Sequence, residues 1–202
     1  MPTPLTLILH GGGTRSLIVT AAAMARRDRA VLLHVREPIP AATPRLAAAR
    51  KQAEHFKLKL LVAEAPAVKD TPAADLPALR HARLLLCGLA HALELGAARL
   101  TWPAQVNGDF EAVAQTTERT LLIQQVAQLE SPRLPEIATP MLELTDKQLI
   151  ELGAHLSVPW RMAWSCQATG GPCHACPGCK RRHAAFEAAG IDDPSEIAGS
   201  VR

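Results

Sequence analysis

Four short apolar runs alternate with longer segments of helical periodicity, and this alternation restricts the fold more than any other feature. The runs predict buried strands at Leu5–Leu9, Ala30–Val35, Leu58–Ala63 and Ala98–Trp102. The segments between and after them predict helices at Ser16–Arg27, Pro44–Phe56, Arg80–Leu95 and Asp109–Leu129. Strands that alternate with helices favour a parallel sheet covered by helices on both faces. We therefore predict an α/β, Rossmann-like fold.

The character of the chain changes near residue 140. A Pro- and Ala-rich loop is predicted earlier, over Pro66–Pro77, but the last sixty residues are richer in Gly, Pro and Cys. A helix begins after Thr145, which has a capping-box partner in Gln148, and a second helix is predicted over Lys180–Ala189. We predict an α/β nucleotide-binding domain over residues 1–140 and a helical, cysteine-bearing region over 141–202.

Bulk properties exclude some classes of partner. The net charge of +3 is mild and aromatic residues make up only 3% of the chain, so extensive nucleic-acid stacking is not predicted. No apolar stretch approaches the roughly 20 residues of a membrane span, and no secretory signal is visible. We predict a cytoplasmic protein with no membrane partner.

The seven residues HGGGTRS follow the first predicted strand directly and open the first predicted helix. A glycine-rich turn between a buried strand and a helix is typical of a phosphate-binding loop, because its amides and the helix N-terminus face the anion. A lone glycine turn also fits a plain strand–helix connection. The candidate phosphate-binding residues are His10, Gly11, Gly12, Gly13, Thr14, Arg15 and Ser16.

Four of the five cysteines form a C-x6-C-x2-C-x2-C pattern: Cys166, Cys173, Cys176 and Cys179. Two-residue gaps bring neighbouring thiolates to one point, and four sulfurs with no open position are typical of structural zinc. An iron–sulfur cluster is the alternative, because ferredoxins also space cysteines by two residues. Cys179 is expected to ionise readily at the start of its helix. Lys180, Arg181 and Arg182 after it are interpreted as a solvated helix face, with contact to a phosphate or a nucleic acid as the alternative.

The stretch from Leu144 to Pro194, LTDKQLIELGAHLSVPWRMAWSCQATGGPCHACPGCKRRHAAFEAAGIDDP, resembles the C-terminal end of the 7-cyano-7-deazaguanine synthases. The resemblance includes the Val-Pro and Trp-Ser-Cys segments, the four-cysteine knuckle and the Ala-Phe and Ala-Gly pairs. That family has a PP-loop, N-type ATP pyrophosphatase fold, with which the predicted α/β part agrees.

This resemblance implies an ATP-dependent C–N ligase that converts a 7-carboxy-7-deazaguanine-type carboxylate and ammonia into the nitrile through adenylation. It implies ATP, Mg²⁺ and structural Zn²⁺ as cofactors, a deazapurine substrate, and a homodimer as one candidate assembly. Arg80, His81 and Asp109 occupy positions implied to bind substrate. The family loop reads Ser-Gly-Gly-x-Asp-Ser, however, and this chain has Thr14 or Arg15 in place of the acid, depending on the alignment.

The missing acid leaves two functions open. The chain is either a synthase-like enzyme or a divergent member that binds a nucleotide or base, or serves as a partner subunit, in a modification or defence system. A carboxylate is the kind of oxygen ligand that holds Mg²⁺ on phosphates, and an arginine there replaces a metal ligand by a cation. Catalytic residues are not assigned. A nucleic-acid-binding zinc knuckle is a distant third interpretation.

Overall fold

The structure, a computed structural model, describes residues 3–64, 79–131 and 133–195. Its centre is a parallel five-stranded sheet with the spatial order β3-β2-β1-β4-β5. The strands are β1 Leu5–Leu9, β2 Arg29–Arg36, β3 Leu60–Glu64, β4 Arg99–Thr101 and β5 Glu136–Ala138. The helices are α1 Thr14–Ala25, α2 Ala42–Phe56, α3 Arg80–Glu94, α4 Phe110–Glu130, α5 Asp146–His155 and α6 Pro177–Ala189, with a 3₁₀ turn at Trp160–Met162.

Alternate residues of β1 point into two separate cores. Leu7 and Leu9 pack with Leu85 and Leu89 of α3 on one face of the sheet. Ile8 packs on the other face, where α1 and α5 contribute to the cluster. Because side chains of a strand alternate between faces, a strand buried on both sides is apolar throughout. This explains the run LTLIL, in which the buried Thr6 is the only polar residue, and the parallel sheet with helices on both faces confirms the predicted α/β, Rossmann-like fold.

The predicted elements agree with the structure apart from their ends. All four predicted strands are present, and so are the predicted helices of eight or more residues. Their bounds differ from the predicted ones by up to three residues. The capping box is confirmed, since the Thr145 hydroxyl accepts from Gln148 N and the Gln148 side chain accepts from Thr145 N. The strand β5 was not predicted, because three residues between prolines carry too little pattern. The loop predicted at Pro66–Pro77 lies outside the described residues.

The C-terminal region packs onto the same side of the sheet as α1. Leu149 of α5 and Val158 lie in one cluster with Leu17 and Ile18 of α1. A smaller cluster joins Ile150 of α5 to Phe186 of α6. The domain boundary near residue 140 stays a prediction. Within the described residues, no helix is long and apolar enough to cross a membrane.

Candidate nucleotide pocket and metal centre

A cavity of about 490 Å³ opens at the carboxyl ends of β1 and β4. These two strands are neighbours, and the chain order reverses between them, since β2 and β3 lie on one side and β5 on the other. In open α/β sheets, ligands bind outside the carboxyl ends of strands at such a switch point. The volume lies within the usual range for small-molecule sites.

The predicted glycine loop forms one wall of this cavity, and its backbone is tightly held. Gly12 has a positive φ of 73°, and its carbonyl accepts from Trp164 N at 2.9 Å and from Gln52 Nε2 at 3.0 Å. The Ser16 hydroxyl accepts from Gly11 N at 2.9 Å. Of the seven candidate phosphate residues, all but Gly12 line the cavity; Gly12 instead lies against α2.

The N-terminus of α1 faces the cavity without a side-chain cap. Gly13 occupies the N-cap position, and the first helical bond runs from Leu17 N to Gly13 O at 3.1 Å. The amides that precede this bond have no helical acceptor, and the helix dipole adds partial positive charge there. This end of the cavity can therefore bind an anion.

Arginines dominate the charged lining of the cavity. The lining contains five arginines and two carboxylates: Arg15, Arg45, Arg80, Arg181, Arg182, Glu37 and Asp146. Arg15 reaches across to Gln105 O at 3.3 Å, beyond the end of β4. It is exposed because it faces the open cavity, yet the surrounding protein atoms and then Arg181 lower its pKa below the usual value. The cavity is thus strongly electropositive.

Both carboxylates are occupied by arginines. Glu37 accepts from Arg80 Nε at 2.5 Å and Nη2 at 2.6 Å. Asp146 accepts from Arg181 Nε at 2.9 Å and from Arg181 Nη2 at 2.8 Å. By contrast, Arg15 and Arg45 form no ion pair with any residue in the described parts of the chain. The uncompensated positive charge therefore lies beside the glycine loop.

The residues predicted to bind substrate are only partly brought together. Arg80 and His81 open α3 and both line the cavity. His81 lies 5.2 Å from the Trp102 ring, centroid to centroid, and burial and then Arg80 lower its pKa. Asp109 lies outside the cavity lining, where its carboxylate accepts from Ala112 N at 3.1 Å and caps α4.

His10 is the most deeply buried titratable residue at the cavity. It is 2% exposed, and neither ring nitrogen has a hydrogen-bond partner among the residues that the structure describes. Burial, and then the nearby His34, lower the pKa of His10 to about 3. His34 in turn hydrogen-bonds His10 O at 2.7 Å. His10 is therefore a neutral imidazole at neutral pH.

This burial predicts a pH-dependent stability. A histidine with a folded pKa of about 3 and an unfolded pKa near 6.5 binds more protons when unfolded, so stability falls as the pH drops through this window. The free energy of unfolding should fall by about 2 kcal/mol between pH 7 and pH 5 from His10 alone. Chemical denaturation at pH 7 and at pH 5 measures this loss of unfolding free energy. The loss should be smaller in His10→Gln than in the wild-type chain by about this amount.

The exposed His55 on α2 provides the control for this experiment. A His55→Gln variant should keep the full pH dependence of the wild-type chain. Equal pH dependence in wild type and His10→Gln would contradict the argument.

The four cysteines converge as predicted. Their Sγ atoms all lie within 4.8 Å of one another, and Cys166 is 2% exposed. Five backbone amides donate to these sulfurs at 3.2 to 3.5 Å, including Gln167 N and Cys179 N to Cys176 Sγ. Four thiols this close compete for negative charge. Burial raises the pKa of Cys176, but the amides of Cys179 and Gln167 outweigh it and lower this pKa to about 6. For Cys179, burial and the neighbouring thiols raise the pKa to about 12.

The raised pKa of Cys179 runs against the expectation that this thiol ionises readily. The helix α6 begins at Pro177, three residues earlier than predicted, so that Cys176 is its N-cap and accepts from Cys179 N. The cap position, and not the first helical turn, receives the free amide. The four-sulfur arrangement can hold a metal ion, which would relieve the repulsion between thiolates.

The segment that carries the first cysteine also touches the glycine loop. Trp164 N donates to Gly12 O, and the Thr14 and Ser165 hydroxyls lie 3.2 Å apart. The interpretation of residues 180–182 as a solvated face is correct for Lys180 and Arg181, which are exposed, and wrong for Arg182. Arg181 lines the cavity, and Arg182 is buried against Asp193 at 2.6 Å.

Sequence reasoning missed several cavity residues. Arg45 and Glu37 were not singled out, because each stands alone in a helix or loop with no motif around it, and Asp146 was seen only as a residue inside the capping box of α5. Gln52 was also missed, although it is fully buried and joins Gly12 O to Met162 O. A polar residue on the apolar side of α2 was the only available signal.

Comparison with solved structures defines the class of fold. The U34-tRNA thiolase NcsA from Methanococcus maripaludis, solved with its [4Fe-4S] cluster, aligns with a TM-score of 0.60. The alignment covers 100% of this chain and 67% of NcsA at 12% sequence identity. Together with the glycine loop at the switch point, this defines a PP-loop, Rossmann-like fold.

Comparison with protein families then identifies the relatives. The model of the family described as queuosine biosynthesis protein QueC matches residues 79–190, more than half of the chain. The chain therefore belongs to the QueC family. It is 32% identical over 145 residues to the 7-cyano-7-deazaguanine synthase of Anaeromyxobacter dehalogenans. This alignment covers 67% of this chain and 60% of the relative. The synthase of Acaryochloris marina is 43% identical over 68 residues.

The chain spans only part of these relatives. The Acaryochloris alignment covers 30% of that protein and 31% of this chain. The Trichodesmium erythraeum synthase is 44% identical over 59 residues, which is 27% of its length.

Proposed function

We propose that the protein binds ATP in the arginine-lined cavity and activates a 7-carboxy-7-deazaguanine-type carboxylate as an ATP-dependent C–N ligase. The observation that carries this proposal is a free helix N-terminus with unpaired arginines at the switch point of a QueC-family chain. The family membership supports the substrate class, and the electropositive cavity supports a phosphate-bearing co-substrate.

In the proposed first step, a carboxylate oxygen attacks the α-phosphorus of ATP and pyrophosphate leaves with the bonding electron pair. The amides at the start of α1 and the Arg15 guanidinium would bind the phosphates and stabilise the charge that develops on the leaving group. Ammonia then attacks the acyl adenylate and releases AMP. Loss of water from the resulting amide gives the nitrile.

The apolar part of the cavity would hold the heterocycles. Leu9, Leu33 and Leu84 line it, and Trp102 is only 8% exposed with His81 against its ring. Flat rings favour such walls. The neutral His10 could donate or accept one hydrogen bond to a bound ligand.

We propose zinc as the ion at the four cysteines. Zinc–sulfur bonds of about 2.3 Å place sulfurs about 3.8 Å apart in a tetrahedron, and Cys166 Sγ and Cys176 Sγ lie 4.0 Å apart. A four-iron cluster separates its cysteine sulfurs further, because the iron atoms lie between them. Zinc held by four thiolates has no open position, so its role would be to hold the C-terminal region together.

The second candidate is a nucleotide- or base-binding subunit without turnover, in a modification or defence system. Arg15 in the loop and the ion-paired Glu37 and Asp146 favour it, because the described residues of the cavity lining include no free carboxylate that could serve as a metal ligand or base.

One assay separates the two candidates. Purified protein is incubated with ATP, ammonia and 7-carboxy-7-deazaguanine, and pyrophosphate and the nitrile are measured by enzymatic coupling and mass spectrometry. The synthase proposal expects pyrophosphate release that requires the carboxylate, and a rate at least tenfold lower in Arg15→Gln. ATP binding without pyrophosphate release would instead support the second candidate, and the absence of ATP binding would contradict both.

A control variant keeps this assay specific. Arg50 is exposed on α2, the helix that also carries Arg45, and it lies outside the cavity lining. Arg50→Gln changes the net charge by the same amount and should release pyrophosphate at the wild-type rate.

A further inference from the structure

We infer that the cavity binds the polyphosphate of its nucleotide without Mg²⁺, with Arg15 and Arg45 supplying the positive charge that a metal supplies elsewhere. This inference rests on the proposed nucleotide site. It concerns the counter-charge and not the reaction, so binding and turnover test it separately.

The donor set of the cavity does not fit Mg²⁺. This ion requires near-octahedral oxygen coordination and is bound through one or two carboxylates together with phosphates. Glu37 and Asp146 are the only carboxylates in the described lining, and each uses both oxygens on an arginine. A metal bound to either carboxylate would therefore lie beside the arginine that already pairs with it, and the two positive charges would repel each other.

The loop hydroxyls are also occupied. The Ser16 hydroxyl accepts from Gly11 N, and the Thr14 hydroxyl hydrogen-bonds Ser165. Both bonds stabilise the loop conformation and its attachment to the C-terminal region. These bonds use part of the hydrogen-bonding capacity of each hydroxyl and fix its orientation.

The electrostatic field of the cavity favours an anion and opposes a cation. Neither Arg15 nor Arg45 forms an ion pair with a residue that the structure describes. The surrounding protein atoms are the main cause that lowers the pKa of both, and the neighbouring arginines lower it further, although Asp146 raises the pKa of Arg15 and Glu37 raises that of Arg45. A bound polyphosphate would relieve this mutual repulsion, whereas a divalent cation would add to it.

Buried donors without partners indicate the same class of ligand. Arg45 Nε and Trp164 Nε1 are buried and have no hydrogen-bond partner within the described chain, and both residues line the cavity. Neither nitrogen can accept a hydrogen bond, so only an acceptor satisfies them. Phosphate oxygens next to the glycine loop would do so, and bonds from arginine to phosphate are among the stronger ones.

The test is titration calorimetry with two probes, ATP and inorganic tripolyphosphate, each in excess EDTA and in excess Mg²⁺. The inference expects each ligand to bind in EDTA at least as tightly as in Mg²⁺. A dissociation constant in EDTA up to threefold above that in Mg²⁺ counts as equal. Binding that is at least tenfold tighter with Mg²⁺ would overturn it.

Two variants assign the charge. Arg15→Gln and Arg45→Gln should each weaken tripolyphosphate binding in EDTA by about 10- to 100-fold, the usual loss for a hydrogen bond to a charged group. Arg50→Gln should leave it unchanged. If Arg15→Gln and Arg45→Gln bind like Arg50→Gln, the assignment is wrong.

A reciprocal variant restores an acid to the loop. Arg15→Asp recreates the Gly-Gly-x-Asp-Ser order at Gly12–Ser16, and its exposed position makes misfolding a minor concern, which circular dichroism checks. Binding of ATP by this variant should require Mg²⁺, with at least a tenfold difference between the two buffers. Metal-independent binding by the variant would overturn the inference.

The two proposals fail in different ways. Metal-dependent ATP binding with pyrophosphate release would overturn this inference and leave the proposed function standing. Metal-independent binding without pyrophosphate release would support the inference and contradict the synthase proposal. No ATP or tripolyphosphate binding in either buffer would overturn both.

Discussion

Cys176→Ser is expected to abolish binding of the proposed zinc ion and to unfold the C-terminal region around α6. Cys176 Sγ lies 4.0 Å from Cys166 Sγ and accepts amide bonds from Gln167 and Cys179, so its loss opens the four-sulfur set. Metal binding to structural cysteine sites contributes on the order of 10 kcal/mol to folding. Metal analysis should show loss of the ion, and thermal unfolding should show a separate early transition.

The serine isolates the loss of the metal ligand from the loss of the helix cap. Cys176 is the N-cap of α6, and serine is a preferred residue at that position, so α6 keeps its cap. Cys87→Ser, at a half-buried position on α3, is the matched control and should retain metal. Unchanged metal content in Cys176→Ser would refute the four-cysteine site.

Gly12→Ala is expected to destabilise the protein by about 2–5 kcal/mol and to abolish polyphosphate binding. The backbone at Gly12 has a φ of 73°, which costs an alanine about 1–2 kcal/mol. The new Cβ would also lie 2.2 Å from Arg45 O and 3.2 Å from Ala49 N, both backbone atoms of α2. Overpacking of this kind costs about 1–3 kcal/mol. Denaturant unfolding and calorimetry measure the two effects.

Gly11→Ala is the matched control for the stability measurement. A Cβ at Gly11 would meet only Ser16 Oγ, at 3.7 Å, which is an ordinary contact. Its free energy of unfolding should stay within about 1 kcal/mol of wild type. If the two alanine variants were equally stable, the close approach of the loop to α2 would not be the reason for a glycine at Gly12.

The sequence predicts the fold well because the central strand β1 is buried on both faces. A run such as Leu5–Leu9, in which Thr6 is the only polar residue, leaves few alternatives to a parallel strand, and Thr145 with Gln148 marks the start of α5 directly. The strand β5 is different. Its three residues pair with β4 through the backbone, and its Ile137 packs at the margin of the core, so nothing local distinguishes it from a loop.

The candidate site divides in the same way. The residues of the glycine loop are consecutive, and the four cysteines lie within one short stretch of the chain. Their spacing in the sequence therefore indicates the chemistry. The ion pairs of Arg80 with Glu37 and of Arg181 with Asp146 join residues 43 and 35 positions apart. Which arginines stay unpaired therefore depends on tertiary contacts, and isolated helix residues such as Arg45 give no sign of it.

The contact between the Thr14 and Ser165 hydroxyls joins residues 151 positions apart. A growing chain emerges from the ribosome N-terminus first, so the glycine loop is synthesised long before the segment that holds it in place. The first strands and helices can pair early, but the cavity wall formed by residues 164–182 arrives last. Nucleotide binding should therefore appear late in synthesis, and a chain truncated before the cysteines would carry an open, incomplete site.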